Sequence, residues 1–286
     1  MPGTGLERTT INLYGAGGVP LVAWRWADPA NAGKATVVLV HGYAEHLGRY
    51  EHVIEALCRG GYSVVGMDDR GHGHSGGRRA AVRDFDAFVD DLDLLIDTKA
   101  HGNGPVYILG HSMGGLIATR CALRRTDLAG LAVSGAAYKV WADLSGWQRR
   151  ASSLVARLLP DLPLVPASQP GILSRDPEVD RRFSSDPLTY HGRVRVGMAY
   201  GMFAAGEDTR ARAASLTMPL LVMHGADDKL TDPAGSIAVY NAAASADKTL
   251  KLWPGLRHEI FNEPESREVI AEVVAWLDAR AIVTSS

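Results

Sequence analysis

Between Val106 and Ala118 the chain changes from one periodicity to another across a single serine. Val106-Tyr107-Ile108-Leu109 is a short apolar run that reads as a buried strand and breaks at Gly110. From Leu116 onward Ala118, Cys121 and Ala122 recur at helical spacing. Between them stands Gly110-His111-Ser112-Met113-Gly114, which places Ser112 on a sharp strand-to-helix turn with its hydroxyl pushed into the open. The glycines are required because the turn is strained and the flanking backbones pass too close for a Cβ. The helix that follows points its amide end at the serine and favours negative charge developing there.

A second Gly-x-Ser-x-Gly occurs at Gly73-His74-Ser75-Gly76-Gly77. It follows Asp68-Asp69-Arg70-Gly71-His72, so no strand runs into it, and Gly76-Gly77-Arg78-Arg79 starts a helix poorly. Ser112 is therefore the candidate nucleophile and Ser75 a polar loop residue. The overlapping Gly71-His72-Gly73-His74-Ser75-Gly76 fits a dinucleotide fingerprint but opens no helix and lies outside a first βαβ unit. His72 and His74 lack the cysteines or the H-E-x-x-H helix of a zinc site, so no metal and no cofactor is expected.

A strand–turn–helix of this kind belongs in a parallel sheet, and the rest of the chain supplies one. Arg8–Tyr14 and Val19–Ala27 alternate around Gly15-Ala16-Gly17-Gly18 as an opening hairpin. Thr36–Val40 is a continuous apolar run typical of a central parallel strand, ending at His41-Gly42-Tyr43. A helix around Tyr50–Arg59, a strand at Tyr62–Met67 and an amphipathic helix at Asp84–Thr98 follow, the last with Phe85, Phe88, Val89, Leu92, Leu95 and Ile96 on one face. After the Ser112 unit come strands at Leu128–Ser134, Pro219–Met223 and Lys248–Trp253 and a closing helix at Glu265–Ala279. The alternation implies an α/β fold, a mostly parallel central sheet with helices on both faces.

From Tyr138 to Ser215 the pattern differs. Trp141, Leu144, Trp147, Leu154, Val155, Leu158 and Leu159 recur at helical spacing, then Pro160, Pro163, Pro166 and Pro170 break the chain, and no strand run appears. The expectation is a core domain of residues 1–137 and 216–286 with a helical cap inserted at 138–215. The cap's apolar stripe is read first as packing against the body. The rival is docking on a lipid surface, with Arg149, Arg150 and Arg157 beside it.

With 286 residues the chain can bury a sizeable core. Its net charge of −2 argues against a nucleic-acid partner. No apolar run approaches the roughly 18 residues that a membrane span needs, and Met1–Glu7 has neither a basic nor an apolar leader region. A cytoplasmic protein is expected, with Cys58 and Cys121 as buried thiols.

A serine hydroxyl needs a base and a group that orients the base. In α/β-hydrolase sheets, which carry a serine on such a turn, the acid and then the histidine follow it in the chain. Of ten histidines only His258 comes after the candidate acids, in a loop between the last strand and the last helix. Asp227, Asp228 and Asp232 all lie just after Pro219–Met223, and position favours Asp228. An oxyanion hole needs the amide after the nucleophile, Met113, and one from the loop after the first central strand, for which Tyr43 is the candidate.

These pieces resemble the monoacylglycerol lipase family of α/β-hydrolases along nearly the full chain. The matching stretches are His41-Gly42-Tyr43-Ala44-Glu45-His46-Leu47-Gly48-Arg49-Tyr50, Asp69-Arg70-Gly71-His72-Gly73-His74-Ser75 and Gly110–Gly115. Ser174-Arg175-Asp176, Ser185-Asp186-Pro187-Leu188, His224–Leu230 and Gly255–Glu259 complete them. The resemblance implies the α/β-hydrolase fold and a serine esterase that cleaves monoacylglycerols to a fatty acid and glycerol through an acyl-enzyme. In the family's register the acid is Asp228, Tyr43 and Met113 supply the oxyanion amides, and the insertion is a cap over an acyl tunnel. Two positions depart from it. Tyr43 replaces a small residue, and Phe261 stands where animal members carry a second histidine near the alcohol pocket. Glu45 and Arg49 are candidates for holding the head group there, against a plainer reading as solvated loop charges. A broad carboxylesterase, a lysophospholipase and a non-catalytic ligand-binding relative are the alternatives.

Overall fold

The computed structural model describes residues 5–31, 33–100, 104–140, 145–166 and 171–281. Eight strands form one sheet in the order β1-β2-β4-β3-β5-β6-β9-β10. β1 (Glu7–Gly15) and β2 (Val19–Ala27) make the opening hairpin, and β2 lies antiparallel to β4 (Tyr62–Met67). From β4 onward every pairing is parallel, through β3 (Ala35–Val40), β5 (Val106–His111), β6 (Gly130–Ser134), β9 (Leu220–Gly225) and β10 (Lys248–Trp253).

Both faces of this sheet are covered, which is why its central strands read as unbroken apolar runs rather than alternating ones. On β3, Val38 and Val40 belong to one core with α2 (Asp86–Leu95) and α3 (Met113–Ala122), whose members include Phe88, Leu92, Leu116 and Ile117. Val37 and Leu39 face the other core, with Ile54 and Leu57 of α1 (Glu51–Arg59) and Val269, Val273 and Leu277 of α8 (Ser266–Ala281). Cys58 and Cys121 are free, buried thiols.

Among its described residues, the segment between β6 and β9 adds no strand to the main sheet. It holds α4 (Gly146–Leu158), β7 (Pro163–Pro166), α5 (Pro177–Ser185), β8 (Arg193–Arg195) and α6 (Val196–Arg212). The expected helical insertion is thus corrected in one respect, since β7 and β8 pair as an antiparallel ribbon. The stripe on α4 is corrected too. The helix has no buried residue, and Trp147, Leu154 and Leu158 are 72%, 57% and 67% exposed, so it does not pack on the body. Trp141, Leu144 and Pro170 lie outside the described residues. Among those residues no helix is long and apolar enough to cross a membrane. A last helix, α7 (Pro233–Ala242), follows β9.

Candidate active site

Ser112 joins β5 to α3 with φ 54° and ψ −119°, a backbone region that costs a non-glycine residue of order 1–3 kcal/mol. The turn closes only because its neighbours are small. A Cβ on Gly110 would stand 2.5 Å from the Gly114 carbonyl oxygen, and one on Gly114 would stand 2.3 Å from that of Val40. Met113 opens α3, so its amide has no partner within the helix. Tyr43 follows β3 and lines the same cavity as Ser112.

Ser112 Oγ is 2.8 Å from His258 Nε2, and His258 Nδ1 is 2.7 Å from Asp228 Oδ2. The three come from the turn after β5, the loop after β9 and the loop after β10, which parallel pairing brings to one edge of the sheet. Burial works against ionising both His258 and Asp228. The carboxylate beside the ring nevertheless holds the His258 pKa above its ordinary value. The His258 and His224 rings pull Asp228 far below the usual carboxylate range. Its carboxylate also accepts from the Leu230 and Thr231 amides and, at 2.7 Å, from the Thr231 hydroxyl. Such a row can take a proton from the serine and hold the imidazolium that results.

The other acids do other things. Asp227 is exposed, and Asp232 accepts from the Ala234 amide as the N-cap of α7. Ser75 donates to the Asp68 carbonyl and accepts from the Val22 amide, a loop role. His72 is buried with Nδ1 3.0 Å from the Arg70 carbonyl oxygen, and His74 Nδ1 is 3.0 Å from Asp68 Oδ2.

A cavity opens over Ser112. Its apolar wall includes Ala137, Val140, Leu173, Val194, Met202 and Leu230, and Val165 and Pro166 of the exposed ribbon line it as well. Glu45, Glu259 and His111 make the polar end. Glu45 and Arg49 are not solvated loop charges. Their side chains are 4% and 9% exposed, and Arg49 donates to Glu45 Oε2 at 2.5 Å and to both oxygens of Glu259. Glu45 Oε1 accepts from the Gly42 amide at 2.6 Å and the Tyr50 hydroxyl at 2.5 Å. Burial would raise its pKa, but the Arg49 charge lowers it to about 2. Burial, with the His258 charge added, lowers His111 to about 4, so that ring stays neutral. Phe261 is buried below the site, its ring 6.4 Å from that of His111.

Residues 31–265 match the family model described as serine aminopeptidase, S33. The monoacylglycerol lipase of Mycolicibacterium smegmatis is 38% identical over 273 residues, covering 94% of this chain and 97% of that protein. The chain belongs to the monoacylglycerol lipase family of α/β-hydrolases. Human monoglyceride lipase, another member, is 32% identical over 94% of this chain and 90% of its own length. The crystal structure of the Paleococcus ferrophilus monoacylglycerol lipase superposes with a TM-score of 0.80 at 28% identity, over 96% of this chain and 99% of that one.

As a member of this lipase family the chain is a hydrolytic enzyme. Three residues of the lipase site were not singled out from sequence. Thr231 directly follows the stretch that ends at Leu230, and Glu259 closes the stretch Gly255–Glu259, where it could have been noticed as a carboxylate directly after His258. His224 stands four residues before Asp228, at the end of β9, and only the fold brings its ring to the acid.

Proposed function

We propose that the enzyme hydrolyses monoacylglycerols to a fatty acid and glycerol, with Ser112 as nucleophile, His258 as base and then acid, and Asp228 orienting it. The reading is carried by the 2.8 Å contact between Ser112 Oγ and His258 Nε2 under a cavity that is apolar on one side and carboxylate-lined on the other. Ser112 attacks the ester carbonyl as His258 Nε2 takes its proton, and the Tyr43 and Met113 amides receive the oxyanion. His258 returns the proton to the glycerol oxygen as the C–O bond breaks. A water then attacks the acyl carbonyl as His258 takes its proton, and the bond to Ser112 Oγ breaks as His258 gives that proton to the serine oxygen and the fatty acid leaves.

In this reading the acyl chain lies along the apolar wall, and the glycerol hydroxyls donate to the remaining lone pairs of Glu45 and Glu259. Arg49 braces those carboxylates and does not itself touch substrate, while Glu45 also fixes the Gly42 amide and with it the loop that presents Tyr43. Residues 138–215 act as a cap over the cavity. The exposed apolar side chains of α4 and the ribbon rest on a lipid surface, next to an entrance framed by Val165 and Pro166.

Labelling with a fluorophosphonate and turnover of 1-acylglycerols test the assignment. Ser112→Ala should abolish labelling and lower kcat by about four to six powers of ten, whereas Ser75→Ala should retain most of its activity. Faster turnover of lysophospholipids or of unrelated short esters than of monoacylglycerols would transfer the assignment to those substrates. Labelling of neither the wild type nor any variant would leave a ligand-binding relative.

A further inference from the structure

We propose that His224 is a positioning residue for the hydrolytic reaction, acting on the same carboxylate oxygen of Asp228 that meets His258 and held in its working tautomer by Ser236. The proposal rests on the assignment of Asp228 as the acid. Asp228 Oδ2 lies between two imidazoles, 2.7 Å from His258 Nδ1 and 3.0 Å from His224 Nε2. Beyond His224, its Nδ1 is 2.8 Å from Ser236 Oγ in α7. The result is a row that runs Ser112, His258, Asp228, His224, Ser236, with a serine at each end and the carboxylate at its centre. Only the Ser112 end faces the cavity. The His224 side chain and Ser236 are wholly buried, and neither lines the cavity.

The tautomer follows from what each nitrogen meets. His224 Nε2 faces the Asp228 carboxylate and, at 3.3 Å, the Thr231 carbonyl oxygen, which are acceptors. The Thr231 hydroxyl, also 3.3 Å away, gives its own proton to Asp228 and offers His224 only an oxygen. Nε2 therefore carries the hydrogen, and Nδ1 accepts from the Ser236 hydroxyl. A carboxylate that orients a base must be fixed in rotation and must not be protonated. The Leu230 and Thr231 amides hold Oδ1, and His224 supplies Oδ2 with a donor that leaves the His258 direction open. This arrangement also tempers the carboxylate. Each donor to Oδ2 draws off charge that would otherwise bind the His258 imidazolium more tightly. Loss of the His224 donor should therefore make His258 easier to protonate. Other charged groups act on the row from neighbouring elements. Glu45 and Glu259 act on His258, the His111 ring lies 4.9 Å from it, and Asp232, paired with Lys139, lies on the His224 side.

His224→Leu removes the donor, His224→Gln restores an N–H in place of Nε2, and Ser236→Ala removes only the far support. His224→Leu should lower kcat roughly 10- to 100-fold, the range expected for a hydrogen bond to a charged group, with KM little changed. The acidic limb of its kcat/KM profile should move to higher pH, and His224→Gln should recover most of both. Ser236→Ala should shift the profile the same way by a smaller amount, and it serves if His224→Leu does not fold. Against an Asp228→Asn background, His224→Leu should add little further loss, because it acts through the missing carboxylate. A folded His224→Leu with unchanged kcat and pH profile overturns the proposal, as does a loss fully additive with that of Asp228→Asn. If Asp228→Asn alone keeps full activity, the assignment of the acid fails and this proposal falls with it. If Asp228→Asn is inactive and the His224 and Ser236 variants are normal, only this proposal fails.

Discussion

Asp228 and Asp69 are both enclosed carboxylates, and their surroundings push them in opposite directions. Burial disfavours the charge at each. At Asp228 the His258 and His224 imidazoles more than offset it, so the pKa falls far below the usual range. A group depressed in this way stabilises the fold above its unfolded pKa of roughly 4 and loses that contribution as pH falls below it. Asp228→Asn should cost about 10⁴ in kcat while Asp227→Asn, at an exposed position, should cost little, as steady-state kinetics on one ester would show. Neither oxygen of Asp69 has a hydrogen-bond partner among the described residues, and burial raises its pKa to about 7 despite His41 Nε2 at 3.8 Å. Between its unfolded pKa of roughly 4 and about 7 the folded chain holds a proton that the unfolded chain releases, so stability falls as pH rises through that window. Asp69→Asn should raise Tm relative to the wild type by a margin that widens from pH 5 to pH 8. A constant margin would mean that Asp69 does not titrate in that range.

At the scale of elements, what the sequence reveals depends on what each pattern reports. β3, β4 and β5 were legible because strands buried on both faces are apolar throughout, and α2 because Phe85, Phe88, Val89, Leu92, Leu95 and Ile96 make one face. The Ser112 turn was legible because its glycines are forced by contact distances. Chain order singled out His258, and family register was needed to choose among Asp227, Asp228 and Asp232. The β7–β8 ribbon was not legible. Its strands have four and three residues, and Pro163 and Pro166, which suit only edge positions, look like loop punctuation. Periodicity on α4 shows that one face is apolar and says nothing of what covers it, so body packing and lipid contact look alike in sequence. With Trp147, Leu154 and Leu158 exposed and Arg150 and Arg157 beside them, lipid contact is the reading that the geometry favours. The enzyme should co-sediment with anionic phospholipid vesicles. Trp147→Ser combined with Leu158→Ser should weaken that binding several-fold while turnover of a water-soluble ester stays unchanged. A wild type that never sediments with lipid would refute it.

At the scale of the whole molecule, side chains before and after the segment between β6 and β9 hold it in place. His46 Nε2 meets Asp186 Oδ2 at 2.9 Å, Arg79 donates to the Leu188 carbonyl, and Arg257 donates to the carbonyls of Gly171 and Ser174. The Arg49 guanidinium, fixed by Glu45 and Glu259, lies 5.1 Å from the Phe183 ring of α5. A substrate chain would follow the apolar wall over Ser112. Each methylene that it buries is worth about 0.8 kcal/mol, so four more carbons add roughly 3 kcal/mol for as long as the wall lasts. Part of that should appear in kcat/KM if, as proposed, an anchored chain sets the ester against Ser112 and the Tyr43 and Met113 amides. For monoacylglycerols kcat/KM should therefore rise from butyryl to at least octanoyl and then flatten where the wall ends. Di- and triacylglycerols should be much poorer, since a second chain would collide with residues of the inserted segment such as Val194 and Met202. A titrimetric series over acyl length and acyl number measures this directly. A profile flat from acetyl upward, or triacylglycerol cleaved as fast as monoacylglycerol, would mean that the cavity works as an open cleft and that the cap does not select the substrate.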